Sequence, residues 1–411
     1  MTNASDISRN TAHHKAVETP DGGAPLSRGL LLLMAAATGL SVANNYFAQP
    51  LLHLLGRELQ LSTMTAGMIV TAAQVGYGLG LILLVPLGDL VERRRLAVVL
   101  YAATAVFLLV SATAPNGALL LAGTVLTAFT SVAAQVVVPY AATLAAPGQR
   151  GRVIGTVMTG LMLGALLSRT VSGGLAELGG WRTVYWVSAI LVAGVAVLLW
   201  RFLPPLHTPI GLSYPALLRS TIALFRQEPV LRWRAGIAAL SLASFNVLWT
   251  AVTFLLAGPR YGWSEAAIGL LGLVGAVGTV TTTVAGRLAD RGHVQWVTGI
   301  GTAALAASWL LIGAGDSSLG WLLGGVIVLN MAHQAVLNSN QNVIYALRPE
   351  IRNRLNSALT TAFFAGGAAG SALAAVVWVR GGWTAVSVLG GLLACGTFVL
   401  WVLERRGIRG S

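Results

Sequence analysis

The residue with the most distinctive chemistry in this chain is an arginine inside a long apolar segment. Arg169 follows a run of apolar and small residues, and all 13 acidic residues fall in polar tails, between apolar segments or at their ends. A guanidinium stays protonated at any relevant pH, so it needs hydrogen-bond acceptors or an anion. Two interpretations stay open. Arg169 ties helices together through carbonyls and amides, or it attracts an anionic, carboxylate-bearing ligand.

Uncharged polar side chains recur at helical spacing in several apolar segments, as in Asn45, Gln49 and His53 or Thr127, Ser131 and Gln135. Amides surrounded by lipid must find partners, so they should face other helices or water. A single amide is explained by an interhelical hydrogen bond, whereas the whole set is a candidate lining of the central cavity that the family resemblance described below implies. Its predicted lining is Asn45, Tyr46, Gln49, Gln74, Gln135, Arg169, Asn246, His333, Gln334 and Asn338.

His333 lies well inside an apolar segment. An imidazole can titrate near physiological pH, so His333 is a candidate proton relay where a carboxylate is missing. The alternative is a hydrogen-bonded structural histidine. The sequence has no metal-ligand cluster, no paired intramembrane carboxylates, no nucleophile motif and no Walker-type segment. We therefore expect a protein that is not an enzyme, with no metal and no cofactor.

The elements that must position these residues are long apolar helices. Hydrophobic residues make up 55% of the chain, charged residues 9%, and the mean hydropathy is +0.75. Segments of about 20 apolar residues cross a bilayer as helices. The sequence predicts an all-α membrane protein with twelve of them, near residues 30–55, 64–88, 96–114, 118–146, 153–178, 182–203, 235–257, 264–288, 294–315, 318–347, 355–379 and 383–403.

The chain repeats itself at an offset of about 202 residues. Leu87-Gly88-Asp89 returns as Leu288-Ala289-Asp290, and Gly179-Gly180-Trp181 returns as Gly381-Gly382-Trp383. The repeat predicts two pseudo-symmetric six-helix bundles. Arg169 breaks the symmetry, because its equivalent is Ser371. The predicted divisions are a disordered tail (1–27), a first bundle (28–203), a linker holding an amphipathic helix or an irregular segment (204–233), a second bundle (234–404) and a short tail (405–411).

The formal net charge of +13 has an explanation that does not involve nucleic acid. Of the 26 basic residues, 21 fall in the tails and in loops predicted on one side of the membrane. This is the positive-inside bias, which predicts a multi-pass cell-membrane protein with both termini in the cytoplasm. Trp181, Trp263, Trp321 and Trp383 are predicted interface anchors near the outer ends of helices.

Two loops resemble the signature of the major facilitator superfamily, Gly-x-Leu-Ala-Asp-Arg-x-Gly-Arg-Arg. They are Pro86 to Arg95 and Gly286 to Gly292, at the repeat offset. The resemblance implies the major facilitator fold, with Asp89, Arg93 and Asp290 as a conformational latch. The alternative for these residues is a charged turn that only fixes topology.

The first segment, Asn44 to Leu52, is similar to the drug, sugar and nucleoside efflux branch of that superfamily. The branch implies a monomeric exporter of a small organic molecule, coupled to a proton gradient. The antiporter signature Gly-Pro-x-x-Gly-Gly departs here to Arg169-Thr170-Val171-Ser172-Gly173-Gly174. A facilitative or anion-selective uniporter or importer without proton coupling is therefore the alternative, and a transporter-fold sensor or membrane enzyme is a third class.

Overall fold

The computed structural model describes residues 27–206, 214–348 and 351–409, and all regular structure in these ranges is helical. The predicted tail at 1–26 lies outside the described residues. The first half forms eight helices: α1 Arg28–Ala43, α2 Leu52–Glu58, α3 Thr63–Leu83, α4 Arg93–Ala112, α5 Gly117–Thr130, α6 Ala133–Leu144, α7 Arg150–Gly179 and α8 Trp181–Phe202. We call α1–α8 the N bundle.

A separate helix, α9 Tyr214–Gln227, lies in the linker. It buries Leu217 and Leu224 and exposes Ile222, and the Tyr214 hydroxyl donates to the carbonyl of Leu83 (2.7 Å). The second half, which we call the C bundle, forms α10 Pro229–Ala257, α11 Glu265–Leu270, α12 Ala276–Asp290, α13 Val294–Gly313, α14 Leu319–Leu347 and α15 Arg352–Arg409. The end of the molecule that carries α9 is called the linker side, and the opposite end the far side.

Within the described ranges, nine helices are long and apolar enough to cross a membrane. One of them, α15, contains two helical parts separated by non-helical backbone at Gly381 and Gly382. Two further crossings are interrupted: α1 ends at Ala43 and α2 begins only at Leu52, after a 3-10 turn that contains Pro50, and α11 continues through a 3-10 turn into α12. These interruptions are consistent with twelve crossings. They also leave stretches of irregular backbone. Such backbone can lie beside the central cavity but not against lipid, where its polar groups would lack hydrogen-bond partners.

The repeat is visible in the backbone. Gly180 (φ 78°) and Gly382 (φ 56°) both adopt left-handed conformations, which glycine tolerates without a Cβ penalty. The tryptophan after each turn is buried: Trp181 is fully buried, and the Trp383 indole donates to the carbonyl of Ile312 (2.9 Å). The prediction of interface anchors is therefore wrong for these two. Trp321, in contrast, is 56% exposed.

Each bundle is held by an equivalent helix crossing. A Cβ on Gly164 of α7 would lie 2.1 Å from the carbonyl oxygen of Gly39 in α1. A Cβ on Gly366 of α15 would lie 2.1 Å from the carbonyl oxygen of Ala239 in α10. Small residues let helix backbones approach closely where lipid supplies no hydrophobic drive. Both bundles therefore depend on glycine at the same place in the repeat.

Candidate functional site

A cavity of about 650 Å³ lies between the two bundles. Its walls come from the end of α1 and from α3, α6, α7, α10, α14 and α15. It extends from Arg169 toward the linker side, where Gly88, Arg93, Leu217 and Arg354 line it. Within the described ranges its lining holds three arginines and no carboxylate. Among the described lining residues, the side chains that carry a full charge at neutral pH are therefore all basic.

The far side is closed by contacts between the bundles. The Thr170 hydroxyl donates to the carbonyl of Gly269 (2.9 Å), and the Ala266 amide donates to the Glu177 carboxylate (3.3 Å). A Cβ on Gly173 would lie only 2.3 Å from the carbonyl oxygen of Glu265. Cavity residues are therefore reached from the linker side in this conformation.

Further from α7, the same closure continues at two hydroxyl contacts. Thr253 donates to the backbone carbonyl of Gln49 (2.9 Å), and the hydroxyls of Thr71 and Ser371 are 2.9 Å apart. Ser371 is the repeat equivalent of Arg169. Both positions thus join the bundles, although only one of them carries charge.

Arg169 lies at the closed end of the cavity and is 6% exposed. Its Nε donates to Oε1 of Gln49 at 2.6 Å. Its guanidinium carbon lies 4.8 Å from the ring centroid of Tyr46 and 4.0 Å from that of Trp249. Such cation–π contacts stabilise a desolvated cation by up to ~2 kcal/mol each. Among the described residues the two terminal guanidinium nitrogens have no hydrogen-bond partner, so they are available to a ligand.

Seven of the ten predicted lining residues border the cavity, and they are contributed by both bundles. They are Asn45, Tyr46, Gln135, Arg169, His333, Gln334 and Asn338. The structure brings these seven residues, which are far apart along the chain, to the wall of one cavity. Whether they contact a substrate stays a prediction.

The other three lie behind the lining. Gln49 is held against Arg169, and Asn246 donates to the carbonyl of Gly367 (3.1 Å) at the α10–α15 crossing. Gln74 is 1% exposed and its carbonyl oxygen is buried without a partner in the described ranges. Helical periodicity gives the spacing of these amides but not the rotation of each helix about its axis. For that reason the sequence could not separate lining residues from those one step behind.

His333 is enclosed by aromatic rings. Phe245 stacks on one face, with ring centroids 4.5 Å apart, and Phe363 lies on the other at 5.8 Å. The hydroxyl of Ser241 is 2.9 Å from Nδ1, and this contact fixes the ring orientation. All three rings of the stack border the cavity. Its wall near His333 is therefore flat and largely apolar.

Much of the polar face of α14 is turned toward the cavity, and several of its amides are already occupied within the chain. Asn330 donates to the carbonyl of Val326 (2.8 Å) and Asn338 to that of Gln334 (2.9 Å). The Tyr345 hydroxyl donates to Asn356 of α15 at 3.1 Å. These hydrogen bonds offset the free-energy cost of burying the amides. The other polar atoms of the same side chains face the cavity.

The loop between α3 and α4 is anchored by Glu92 and Arg93. Glu92 caps α4, accepting from the amides of Arg94 (2.9 Å) and Arg95 (3.1 Å). Arg93 donates to the carbonyl of Gly88 (3.1 Å) and to the hydroxyl of Thr143 (3.2 Å). The side chains of the other two predicted latch residues, Asp89 and Asp290, lie outside the described part of the structure. The latch therefore stays a prediction.

Two features escaped the sequence analysis. Trp249 was not recognised, although it shares a helical face with Asn246 and Thr253 of the polar stripe. Glu404 was taken as an acid at the end of a segment, but α15 continues past it and it is fully buried against Arg234. The signal available for Glu404 was Arg234, in the second turn of α10, but nothing in the sequence pairs residues 170 positions apart.

Two bundles of apolar helices around a central cavity with polar and charged residues in its lining define a multi-pass membrane transporter. A model of the Major Facilitator Superfamily matches residues 34–371. The chain belongs to this family.

Known relatives agree with that assignment. The chain is 48% identical over 376 residues to a putative uncharacterized transporter, YgaY, of Escherichia coli, covering 92% of this chain and 95% of the relative. It is 26% identical over 329 residues to the E. coli 3-(3-hydroxy-phenyl)propionate transporter, covering 79% and 78%. A solved bacterial homologue of the human lysosomal transporter Spinster, inward-facing and occupied, superposes with a TM-score of 0.72 at 17% identity, covering 93% and 96%.

Proposed function

We propose that this transporter carries a small organic anion with a flat apolar body, and that Arg169 binds the anionic group. The observation that carries the proposal is the state of Arg169. It is a buried cation at the closed end of the cavity, it is paired with no carboxylate within the described ranges, and its terminal nitrogens have no partner there. Arg169 borders the cavity, so an anionic ligand that enters there can displace water and complete the hydrogen bonds of the guanidinium.

The contacts of Arg169 favour a role in binding substrate over a purely structural role in joining helices. A structural arginine would satisfy all five donor hydrogens with protein acceptors. Here Gln49 engages only Nε, while Tyr46 and Trp249 cover the faces of the guanidinium. The planar fork of an arginine binds a carboxylate through two parallel hydrogen bonds. The two terminal nitrogens of Arg169 are the donors that would form these two hydrogen bonds.

The aromatic wall around His333 supports a flat apolar body for the substrate. Phe245, His333 and Phe363 form one stack, and Tyr77 lies 4.5 Å from Phe364 between ring centroids. Aromatic rings contribute about 0.5–1.5 kcal/mol each beyond their buried area when they meet another ring. The E. coli relative whose name specifies 3-(3-hydroxy-phenyl)propionate carries an aromatic carboxylate, which agrees with this chemistry.

For direction and coupling we propose export from the cytoplasm driven by a proton gradient, by alternating access of a monomer. The cavity reaches the linker side, and the positive-inside bias makes that side cytoplasmic, with both termini there, in the inner membrane of a bacterial cell. In this scheme His333 is the proton relay of the cavity. The loop residues Asp89, Arg93 and Asp290 form the cytoplasmic latch.

A facilitative or anion-selective carrier without proton coupling, including an importer, is the second candidate. It is favoured by one specific observation: within the described ranges the cavity lining holds no carboxylate that could carry a proton. The two candidates differ in what drives accumulation. Purified protein in liposomes, loaded with a carboxylate probe, distinguishes them. A coupled carrier moves the probe against its gradient when a pH difference is imposed, beyond the passive redistribution of the weak acid measured in protein-free liposomes.

Binding of four related probes to the purified full chain tests the substrate class. They combine a carboxylate or an amide with a flat or a saturated ring: 3-phenylpropionate, 3-phenylpropionamide, 3-cyclohexylpropionate and 3-cyclohexylpropionamide. Charged hydrogen bonds are worth about 1.5–3 kcal/mol, so each carboxylate should bind roughly 10- to 100-fold more tightly than its amide. Equal affinity within each carboxylate–amide pair contradicts the role of Arg169, and equal affinity of the two carboxylates contradicts the aromatic wall.

A further inference from the structure

A second polar cluster lies inside the C bundle, away from the cavity lining. Arg234 of α10 and Glu404 of α15 are both fully buried, and Nε of Arg234 lies 2.7 Å from Oε1 of Glu404. Among the described residues Glu404 is the one buried carboxylate. Their repeat equivalents in the N bundle are Leu32 and Phe202, which are exposed apolar residues. The pair therefore belongs to one half of the molecule only.

Four helices meet at this pair. Nη1 of Arg234 donates to the hydroxyl of Thr298 in α13 (3.0 Å) and to the amide oxygen of Asn340 in α14 (3.3 Å). Thr298 also contacts the hydroxyl of Ser339. Each contribution comes from near the linker-side end of its helix. A change at Arg234 or Glu404 is therefore felt by all four helices together.

The pair is incompletely bonded. Oε2 of Glu404, Nη2 of Arg234 and Nδ2 of Asn340 are buried with no hydrogen-bond partner in the described ranges. Buried ion pairs recover their desolvation cost only with good geometry and with the remaining polar atoms bonded. A pair that served as a permanent tie would be expected to satisfy these atoms. The free oxygen of Glu404 is the atom on which a proton could be placed.

A pocket of about 400 Å³ adjoins Glu404. Glu404 lines it together with Val230 of α10, Gln295 of α13 and Asn342 and Leu347 of α14. These residues lie at the linker-side ends of their helices, whereas the central cavity is lined by other residues. Glu404 itself is fully buried, so the pocket brings the linker-side solvent next to this residue by a route separate from the cavity, and a proton reaches the carboxylate only when the local packing opens.

We propose that Glu404 binds a proton from the linker-side aqueous phase and that the Arg234–Glu404 pair is a proton-operated switch in the C bundle. The proton adds to Oε2, the carboxylate becomes a neutral acid, and the charge of the pair changes from zero to +1. The guanidinium cannot give up its own proton. Left without a counter-charge it is strongly destabilised, so Arg234 must turn toward water in the adjoining pocket.

The helices that hold the pair also form part of the cavity walls, so a movement of the pair can be transmitted to them. Arg234 belongs to α10, which also carries Trp249, and Asn340 belongs to α14, which also carries His333. Because packed helices shift as rigid elements, a rotation at the linker-side end of α10 changes the cavity face of the same helix. The proton therefore acts on the transporter without entering the substrate site.

The electrostatic surroundings of Glu404 are simple. From α10 the group that faces it is Arg234, while α13 and α14 present the uncharged Thr298 and Asn340. On its own helix the neighbour Arg405 stacks over Trp401, at 5.6 Å from the ring centroid. No second acid contacts the pair within the described ranges. A titration at this site is therefore assigned to Glu404.

Infrared difference spectra of the purified full chain in lipid nanodiscs, between acidic and alkaline buffer, test the proposal. We expect the wild type to gain the carbonyl band of a buried protonated carboxyl group in acid. Glu404→Gln should lose that band and Glu404→Asp should shift it. Glu228→Gln is the matched control, since it removes the acid of a part-exposed ion pair with Arg348 on the same side. An unchanged spectrum in Glu404→Gln overturns the proposal.

Hydrogen exchange of α10 gives a second measurement that does not depend on the infrared assignment. We expect the linker-side end of α10 in the wild type to exchange faster in acid, after correction for the intrinsic rate. Glu404→Gln should show the fast rate at both pH values, because its amide is permanently neutral. If the wild-type rate does not change with pH, the pair is a static tie and the switch is refuted. Neither measurement uses an organic anion, so both are independent of the proposed substrate.

Discussion

The guanidinium carbon of Arg169 lies 4.0 Å from the ring centroid of Trp249, and the two residues belong to different bundles. Arg169 is thus a candidate substrate-binding residue, and its contact with Trp249 also helps to close the far side. An anion that draws the guanidinium toward the cavity would compete with the Trp249 contact. Binding and opening are therefore expected to be linked through one side chain.

Replacement of Trp249 by leucine should favour opening on the far side. The cation–π contact with Arg169 is worth up to ~2 kcal/mol when desolvated, so its loss should raise the far-side-open population several-fold. Distances between spin labels at Leu178→Cys and Asp316→Cys, in a Cys395→Ser background, report that opening. Trp321→Leu, which removes an exposed indole, serves as the control. An unchanged distance distribution in Trp249→Leu would contradict the linkage.

Gly173→Ala should shift the same equilibrium for a steric reason. Its Cβ would lie 2.3 Å from the carbonyl oxygen of Glu265 across the bundle interface, so the far-side-closed state is penalised by ~1–3 kcal/mol. The far-side-open state relieves the clash. The neighbouring Gly174→Ala is a matched control, because a Cβ there meets nothing within 4 Å. The spin-label distances should lengthen in the first variant only, and equal behaviour of the two would rule out this interface as the closure.

Gln49→Glu should weaken anion binding strongly while leaving the fold intact. The new carboxylate would sit where Oε1 of Gln49 lies, 2.6 Å from Nε of Arg169, and would neutralise the guanidinium internally. We expect carboxylate probes to bind at least tenfold more weakly and amide probes to be unaffected, measured by calorimetry. Gln341→Glu adds the same charge to the cavity lining without contacting Arg169. Equal losses in both variants would show a general charge effect and not a specific one.

Gly164→Ala and Gly366→Ala should lower stability to a similar extent, because they disturb equivalent crossings. Each Cβ would meet a backbone carbonyl at 2.1 Å, and overpacking of this kind costs about 1–3 kcal/mol. The thermal midpoint in detergent should fall in both variants. Gly194→Ala in α8 meets nothing within 4 Å and should leave the midpoint unchanged. A fall in only one of the two crossing variants would mean that the repeat is not equivalent in its energetics.

The sequence by itself determined the architecture, because the properties that specify it are local or periodic. Apolar length predicts the helices that cross the membrane, and the repeated Gly-Gly-Trp marks equivalent turns, which the structure has at Gly180 and Gly382. Polar residues at helical spacing indicated which helices border the cavity. Arg169 stood out because an uncompensated charge in an apolar segment is energetically expensive wherever the helix packs.

Only the tertiary structure decided which polar groups meet. The spacing of Gln49 and Asn246 is that of lining residues, but helix rotation places both behind the lining. Arg169 meets Trp249 across the bundle interface, and Arg234 meets Glu404 across 170 positions of the chain. Such contacts depend on the tilt and rotation of packed helices, which hydropathy and periodicity do not encode. The two sites proposed here therefore rest on packing that no single segment specifies.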